Sequence, residues 1–212
     1  MLVLPGIHDL WLFVISGLLL NITPGADSLY IATCSISQGF RAGLTAALGI
    51  ATGCCVHIVA AAIGLSAILA ASSLAFTVVK LLGAAYLVYI GVSLLLKRTT
   101  AASDTHALPR ATLRTIFIQG FLTNCLNPKV ALFFLAFVPQ FIDPTASNKA
   151  LAFILLGLIF NSTGTLWCVF LAWITARAGA LRVRSSVAQW LNRGVGSIFV
   201  CLGVRLALVR PG

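Results

Sequence analysis

The sequence predicts an all-α membrane protein of six transmembrane helices, built as two inverted three-helix repeats with the first and fourth helices broken at Pro24 and Pro128. Of 212 residues, 60% are hydrophobic and only 8% are charged, whereas a soluble domain carries roughly 25% charged residues. Six apolar runs each reach the length needed to cross a bilayer. Two of these runs are interrupted by a proline. A chain this apolar requires lipid as its solvent.

The six apolar runs define spans 1 to 6, which we place at residues 9–37, 42–70, 73–96, 112–141, 150–175 and 187–208. The opening segment MLVLPGIHDL has no positively charged n-region, so we expect span 1 to be retained rather than cleaved as a signal peptide. The segments between spans are short and leave no soluble domain. We therefore divide the chain into an N-terminal repeat (1–98), a cytoplasmic loop (99–111) and a C-terminal repeat (112–212).

The basic residues predict the orientation, because cytoplasmic loops of membrane proteins carry an excess of Lys and Arg. With the N-terminus outside, the inner loops hold Arg41, Lys97, Arg98, Arg110, Arg114, Arg177, Arg182, Arg184 and Arg193. The outer side holds only Lys149, Arg205 and Arg210. We expect both termini outside, and no nucleic-acid partner, because the net charge of +10 forms no basic face on a folded domain.

Spans 1 and 4 are too long for a straight crossing. They would measure about 43–45 Å as continuous helices, against a hydrocarbon core of about 30 Å. Each has a proline near its middle, and proline breaks the helical hydrogen-bond ladder. The pairs Thr23-Pro24 and Asn127-Pro128 match a helix start, an N-cap followed by proline at the first position. We therefore expect each span to stop and restart inside the membrane.

The two breaks occupy matching places in the two halves. GLLLNITP (17–24) can be aligned with GFLTNCLNP (120–128) with one extra residue. Because each half holds an odd number of helices, the second half must be inverted in the membrane. Inverted repeats with a discontinuous helix in each half are typical of secondary transporters, which bind their substrates at the breaks.

The breaks predict the candidate site. Restarting helices expose N–H groups and a positive dipole end, which favour an anionic group, and Asp27 and Lys129 follow the breaks at a depth where charge is costly. A small zwitterion matches one acid, one base and two helix ends, although a structural Asp27–Lys129 ion pair is the alternative. We expect Gly25 to let a carboxylate reach the backbone, or else to admit a neighbouring helix. The predicted substrate-binding residues are Asn21, Thr23, Pro24, Gly25, Asp27, Asn124, Asn127, Pro128 and Lys129.

Other polar residues within the spans are weaker candidates. His57 is either a proton relay or a hydrogen-bonded packing residue, and Lys80 belongs either to the interface or to the site. Tyr86 and Asn161 are further candidates for the cavity, and small-residue stretches such as GIATG (49–53) indicate close helix packing. The six cysteines form no C-x-x-C pair and the three histidines are far apart, so we expect no metal site and no cofactor.

Four stretches carry a resemblance to a known family: TPGAD (23–27), GFRAGLTAALGIATG (39–53), GAAYLVYIG (83–91) and NPKVALFFLAFVPQF (127–141). The chain resembles the LysE/RhtB family of bacterial amino-acid exporters over essentially its whole length. Ala26 departs from the pattern, because family members usually have a proline there, and this leaves the substrate open. The resemblance implies a non-enzymatic exporter in the bacterial inner membrane. It also implies amino acids or close derivatives as substrates and the proton as coupling ion, and it leaves a homo-oligomer open.

Two alternatives belong to other functional classes. A membrane thiol-redox carrier needs a reactive cysteine beside each break. Cys125 lies near Pro128, but the matching place in the first half holds Asn21 and Ile22. A non-transporting scaffold or channel subunit would not need charged residues at both breaks.

Overall fold

The computed structural model describes residues 6–65, 111–143 and 145–178, together with single positions within 78–96 and 193–204. Spans 3 and 6 and the loop at 99–110 therefore lie outside the described residues, apart from those single positions, which are helical. Within the described part, Phe40–Gly64 and Lys149–Arg177 are long and apolar enough to cross a membrane, and two bent helix pairs qualify as one span each. These four elements correspond to spans 2, 5, 1 and 4, and their ends lie within a few residues of the predicted boundaries, except that the predicted end of span 2 lies outside the described residues.

Span 1 consists of helices α1 (Leu10–Ile22) and α2 (Ala26–Gln38), which meet at a bend of 52°. The break near Pro24 is confirmed, but Thr23 is not the N-cap of the second helix and Pro24 is not its first residue. Thr23 instead caps the end of α1, donating both its N–H (3.1 Å) and its Oγ1 (2.7 Å) to Leu19 O. The following proline favours extended backbone at Thr23, whose ψ is 121°. The restart is thereby delayed to Ala26, with Gly25 as N-cap.

Span 4 consists of α4 (Leu113–Cys125) and α5 (Pro128–Leu132), and the bend across its break is 42°. Here the predicted helix start is confirmed. Asn127 is the N-cap, its Oδ1 accepts from the N–H of Lys129 at 3.0 Å, and Pro128 takes the first helical position. The chain then continues as a π-helical turn (Phe133–Phe137) and a 3-10 turn (Val138–Phe141). These two turns were not predicted from the sequence.

Spans 2 and 5 are the continuous helices α3 (Phe40–Ala60), extended by a π-helical turn at Ala61–Leu65, and α6 (Lys149–Ala178). Helix α3 lies unusually close to α4. A Cβ added at Gly53 would lie 2.6 Å from Phe121 O, and one added at Gly120 would lie 2.7 Å from Ala46 O. The expectation that small residues of α3 allow close helix packing is confirmed at Gly53.

Spans 1 and 4 run antiparallel and side by side. At one end Ile7 forms an antiparallel bridge with Ile142, so the start of span 1 lies next to the end of span 4. Beyond the breaks, the Tyr30 hydroxyl donates to Ile116 O at 2.9 Å and to Gln119 Oε1 at 3.1 Å, near the start of span 4. The two breaks therefore face each other at the same level.

A cluster of aromatic rings holds this part of the bundle together beside the breaks. Phe133 stacks on Phe160 of α6 with centroids 4.4 Å apart, and on Phe137 at 5.0 Å. Phe13 of α1 meets the edge of Phe141 at 5.2 Å. These contacts fix α1, the end of span 4 and α6 relative to one another. The helices that carry the two breaks are therefore held in place by packed aromatic side chains.

Candidate functional site

The two helix breaks border one cavity of about 50 Å³. This volume accommodates a few water molecules. Helices of spans 1, 2, 4 and 5 all contribute to its wall. Of the predicted residues, those that line it are Asn21, Thr23, Gly25, Asp27, Asn124, Asn127, Lys129 and Asn161.

Asp27, in the first turn of α2, is held by two asparagines from the opposite break. Its Oδ2 accepts a hydrogen bond from Asn124 Nδ2 at 2.9 Å and another from Asn127 Nδ2 at 3.1 Å. Asn124 is 3% exposed and Asn127 is 8% exposed. One acidic side chain is therefore fixed by two buried amides across the interface between spans 1 and 4.

Lys129, at the start of α5, reaches in the opposite direction to the end of α1. Its Nζ donates to Leu20 O at 2.8 Å and to Thr23 O at 3.1 Å. The last carbonyl groups of a helix have no intrahelical donor and carry the negative end of the dipole. An ammonium group satisfies both requirements, so Lys129 acts as a C-terminal cap for α1.

Each of the two prolines at the breaks leaves one backbone carbonyl that accepts from a side chain. A proline has no N–H, so it leaves the carbonyl four residues earlier without its helical donor. Pro24 does this to Leu20 O, which receives Lys129 Nζ instead. Pro128 does the same to Asn124 O, which lies 3.0 Å from His57 Nε2.

His57 is therefore best described as a hydrogen-bonding residue beside the site. It is not among the residues that line the cavity. Its ring is stacked on Phe134, with centroids 6.1 Å apart and an interplanar angle of 15°. As a donor through Nε2 it supplies the hydrogen that Pro128 lacks, and the carbonyl also accepts from Asn127 N–H at 2.9 Å.

Asp27 and Lys129 each bond to groups of the opposite break. The side chain of Asn127 connects these two residues. Its Nδ2 donates to Asp27 Oδ2, and its Oδ1 accepts from the backbone N–H of Lys129. The hydrogen bonds of Asp27 and Lys129 thus both connect span 1 with span 4.

Gly25 is the N-cap of α2, whereas the predicted helix start at Thr23-Pro24 would make it the second residue of that helix. A Cβ added there would meet Lys129 Nζ at 3.8 Å and Thr23 O at 4.0 Å, which are ordinary contact distances. Its φ of −147° is accessible to any residue. Among the described helices, close packing of a neighbour therefore does not explain this glycine.

The remaining predicted residues are distributed differently. Asn161 of α6 donates to Ala51 O of α3 at 3.2 Å, which ties spans 2 and 5 together at the cavity. Pro24 and Pro128 are not among the cavity-lining residues and act through the backbone. Lys80 and Tyr86 lie outside the described residues.

Part of the wall was not anticipated from the sequence. The cavity wall opposite the breaks comes from spans 2 and 5. It includes Ile50, Cys54, Phe160, Thr165 and Cys168. Within the individual spans these residues look like ordinary packing residues. Only the arrangement of the helices identifies them.

Comparisons with known proteins identify a family and several membrane-protein relatives. A family model described as LysE type translocator matches residues 18–210. An uncharacterized membrane protein of Pseudomonas aeruginosa is 33% identical over 207 residues, which cover 95% of this chain and 96% of the relative.

Two further relatives carry functional names. A homoserine/homoserine lactone efflux protein of Salmonella typhimurium is 31% identical over 93% of this chain and 95% of its own length. A leucine efflux protein of an Enterobacter species is 28% identical over 95% and 96%. No solved structure matches the chain. With nearly its whole length matched, this multi-pass membrane protein belongs to the LysE type translocator family.

Proposed function

We propose that this protein is a secondary active transporter that exports amino acids or close derivatives from the bacterial cytoplasm and is driven by the proton gradient. Support comes from family membership together with the names of the relatives, which are efflux proteins for homoserine, homoserine lactone and leucine. The geometry supplies an independent reason.

The observation that carries the proposal is the pair of facing helix breaks around a polar cavity. Unpaired backbone in lipid costs several kcal/mol per group, so irregular chain inside the membrane is tolerated only where protein or a cavity satisfies it. Here two charged side chains bond across the breaks. Asp27 accepts from the asparagines of span 4, and Lys129 donates to the carbonyls of span 1. A purely structural scaffold has no need of such an arrangement.

The transport cycle that we propose moves two inverted halves, residues 1–98 and 112–212, about this cavity. The antiparallel course of spans 1 and 4 supports an inverted relation of the halves. The cavity of about 50 Å³ holds only a few water molecules and is too small for an amino acid. A substrate therefore enters only when the helices separate, and closure around it precedes release on the other side.

Proton coupling is assigned to Asp27. Among the described residues that line the cavity, it is the one acidic side chain. A carboxyl group that binds either a proton or a cationic substrate group couples their movements, because the two compete for the same oxygens. Proton entry from outside then displaces the substrate and resets the carrier for export.

We further propose that both termini face the outside of the inner membrane, with the basic loops in the cytoplasm. The bridge between Ile7 and Ile142 supports placing the start of span 1 and the end of span 4 on the same face. Accessibility labelling of a single cysteine at position 104 checks this, since labelling only from outside would contradict the orientation.

The decisive experiment is counterflow in proteoliposomes that contain the purified protein. Labelled leucine or homoserine should accumulate against an unlabelled internal pool, and a pH gradient should drive net movement. Asp27→Asn should keep the protein in the membrane while abolishing proton-driven transport. Absence of counterflow for every amino acid tested, with correctly folded protein, would overturn the proposal.

The same measurement addresses the thiol-redox alternative. Cys125 is not among the residues that line the cavity, and the thiols that do, Cys54 and Cys168, lie on spans 2 and 5 rather than at the breaks. A variant with Cys54 and Cys168 both changed to Ala should retain counterflow. Loss of counterflow in a stable double variant would favour thiol chemistry.

A further inference from the structure

Three buried polar atoms at the cavity have no protein hydrogen-bond partner among the described residues. They are Asp27 Oδ1, Asn124 Oδ1 and Asn21 Nδ2. All three residues line the cavity. An unsatisfied buried polar atom is unfavourable, so these atoms indicate what the cavity is built to bind.

Two of the three atoms are acceptors. Asn124 donates from Nδ2 to Asp27 Oδ2 at 2.9 Å, so its amide oxygen is the end that has no partner. The reverse amide orientation would turn the oxygen towards the carboxyl group. Oδ1 of Asp27 is likewise an acceptor when the carboxyl group is ionised. Two acceptors in one cavity favour a ligand group with several hydrogens and a positive charge, which is an ammonium group.

The third atom is a neutral donor on the other side of the break. Asn21 lies against α6, where a Cβ added at Gly164 would be 3.0 Å from its Nδ2. An amide N–H binds a carbonyl, ester or carboxylate oxygen alike. The cationic side chain at the cavity, Lys129, already donates to the carbonyls of Leu20 and Thr23. The ligand oxygen therefore does not need to carry a charge.

We infer that the substrate is recognised by its ammonium group, held between Asp27 and Asn124, while a free carboxylate is dispensable. The substrate class is primary amines with a nearby acceptor oxygen, which includes amino acids and their carboxyl-blocked amides and esters. Ile50, Val130 and Phe160 line the same cavity and offer an apolar surface to a neutral side chain. This inference rests on the proposed transport function and specifies its ligand.

The test is competition against labelled leucine in proteoliposome counterflow. The competitors are leucinamide, which keeps the ammonium and loses the carboxylate, and N-acetyl-leucine and 2-hydroxy-4-methylpentanoate, which keep the carboxylate and lose the ammonium. Leucinamide should compete within about threefold of leucine, whereas the other two should be weaker by about tenfold or more, as expected for loss of a charged hydrogen bond.

A second readout does not depend on transport. Leucinamide should raise the thermal stability of the detergent-solubilised protein, and Asp27→Asn should abolish that shift while the variant retains its own cooperative unfolding. The inference is overturned if N-acetyl-leucine competes as well as leucinamide, or if Asp27→Asn binds leucinamide unchanged. Failure of leucine itself to show counterflow would count against the proposed function, and this outcome is distinct from counterflow in which the wrong competitor wins.

Discussion

Substitution of His57 discriminates between the two roles predicted for this residue, a proton relay and a hydrogen-bonding packing residue. His57→Phe keeps the ring stacked on Phe134 and removes the donor to Asn124 O. His57→Gln places an amide N–H close to the position of Nε2 and cannot titrate. The structure predicts that Gln supports transport and that Phe impairs it.

The expected loss of stability in His57→Phe depends on which hydrogen bonds Asn124 O keeps. Pro128 supplies no N–H, but Asn127 N–H still donates to this carbonyl at 2.9 Å. Loss of His57 therefore removes one of two hydrogen bonds and leaves no fully unsatisfied group. Hydrogen bonds between membrane helices contribute about 0.6 kcal/mol on average, and bonds in soluble proteins about 0.5–1.5 kcal/mol. We expect His57→Phe to lower the free energy of unfolding by about 0.5–1.5 kcal/mol.

The assay combines thermal unfolding in detergent with counterflow measured from pH 5.5 to 8. Without the hydrogen bond from His57, Asn124 is positioned less firmly and holds Asp27 less well. Because Asp27 is the proposed substrate contact, His57→Phe should raise the KM more than it lowers the maximal rate. His57→Gln should match the wild type in stability and in the shape of its pH profile. If His57→Gln lost proton-driven transport while remaining as stable as the wild type, His57 would be a proton relay and not only a hydrogen-bond donor to Asn124 O.

Three further predictions concern the breaks and the closely packed helices. Gly120→Ala should destabilise the protein by about 1–3 kcal/mol in thermal unfolding, because its Cβ would press on Ala46 O; Gly25→Ala, which has room, should cost about 1 kcal/mol or less and mainly raise the KM of counterflow. Lys129→Met should abolish counterflow and Lys129→Arg should retain part of it, and equal activity of the two would refute the capping role. The double exchange Asp27→Lys with Lys129→Asp should not restore counterflow, because each side chain would face groups of the wrong polarity; substantial rescue would indicate a direct pair.

Much of the described fold could be predicted from the sequence because lipid leaves few choices. Apolar length alone located spans 1, 2, 4 and 5, since a helix is the way for a single segment to satisfy its backbone in hydrocarbon. The breaks were predictable because Pro24 and Pro128 remove a donor wherever they stand. The restart at Ala26 was not, because the hydrogen bonds of Thr23 to Leu19 compete with its use as an N-cap.

The candidate site was only half visible in the sequence. Polar residues in apolar spans are conspicuous, so Asn21, Asp27, Asn124 and Lys129 could be identified from the chain itself. Residues such as Ile50 and Phe160 of the opposite wall are indistinguishable from core residues until the helices are placed. The π-helical turn at Phe133–Phe137 also lacks a local sequence signal, since its apolar residues fit an α-helix equally well.

The position of a proline nevertheless predicts more than the place where a helix breaks. A proline at one position identifies, from the order of residues along the chain, the carbonyl that loses its donor, which here is Leu20 O or Asn124 O. In lipid that carbonyl requires another donor, and the candidates are the few polar side chains at the same depth. The structure assigns Lys129 of the second half to the carbonyl of the first half, and His57 of the first half to the carbonyl of the second. Each break is thus completed by a side chain from the other half. In the transport cycle that we propose, the two halves move relative to each other and these two bonds stretch or exchange, which ties the caps to the conformational change as well as to stability.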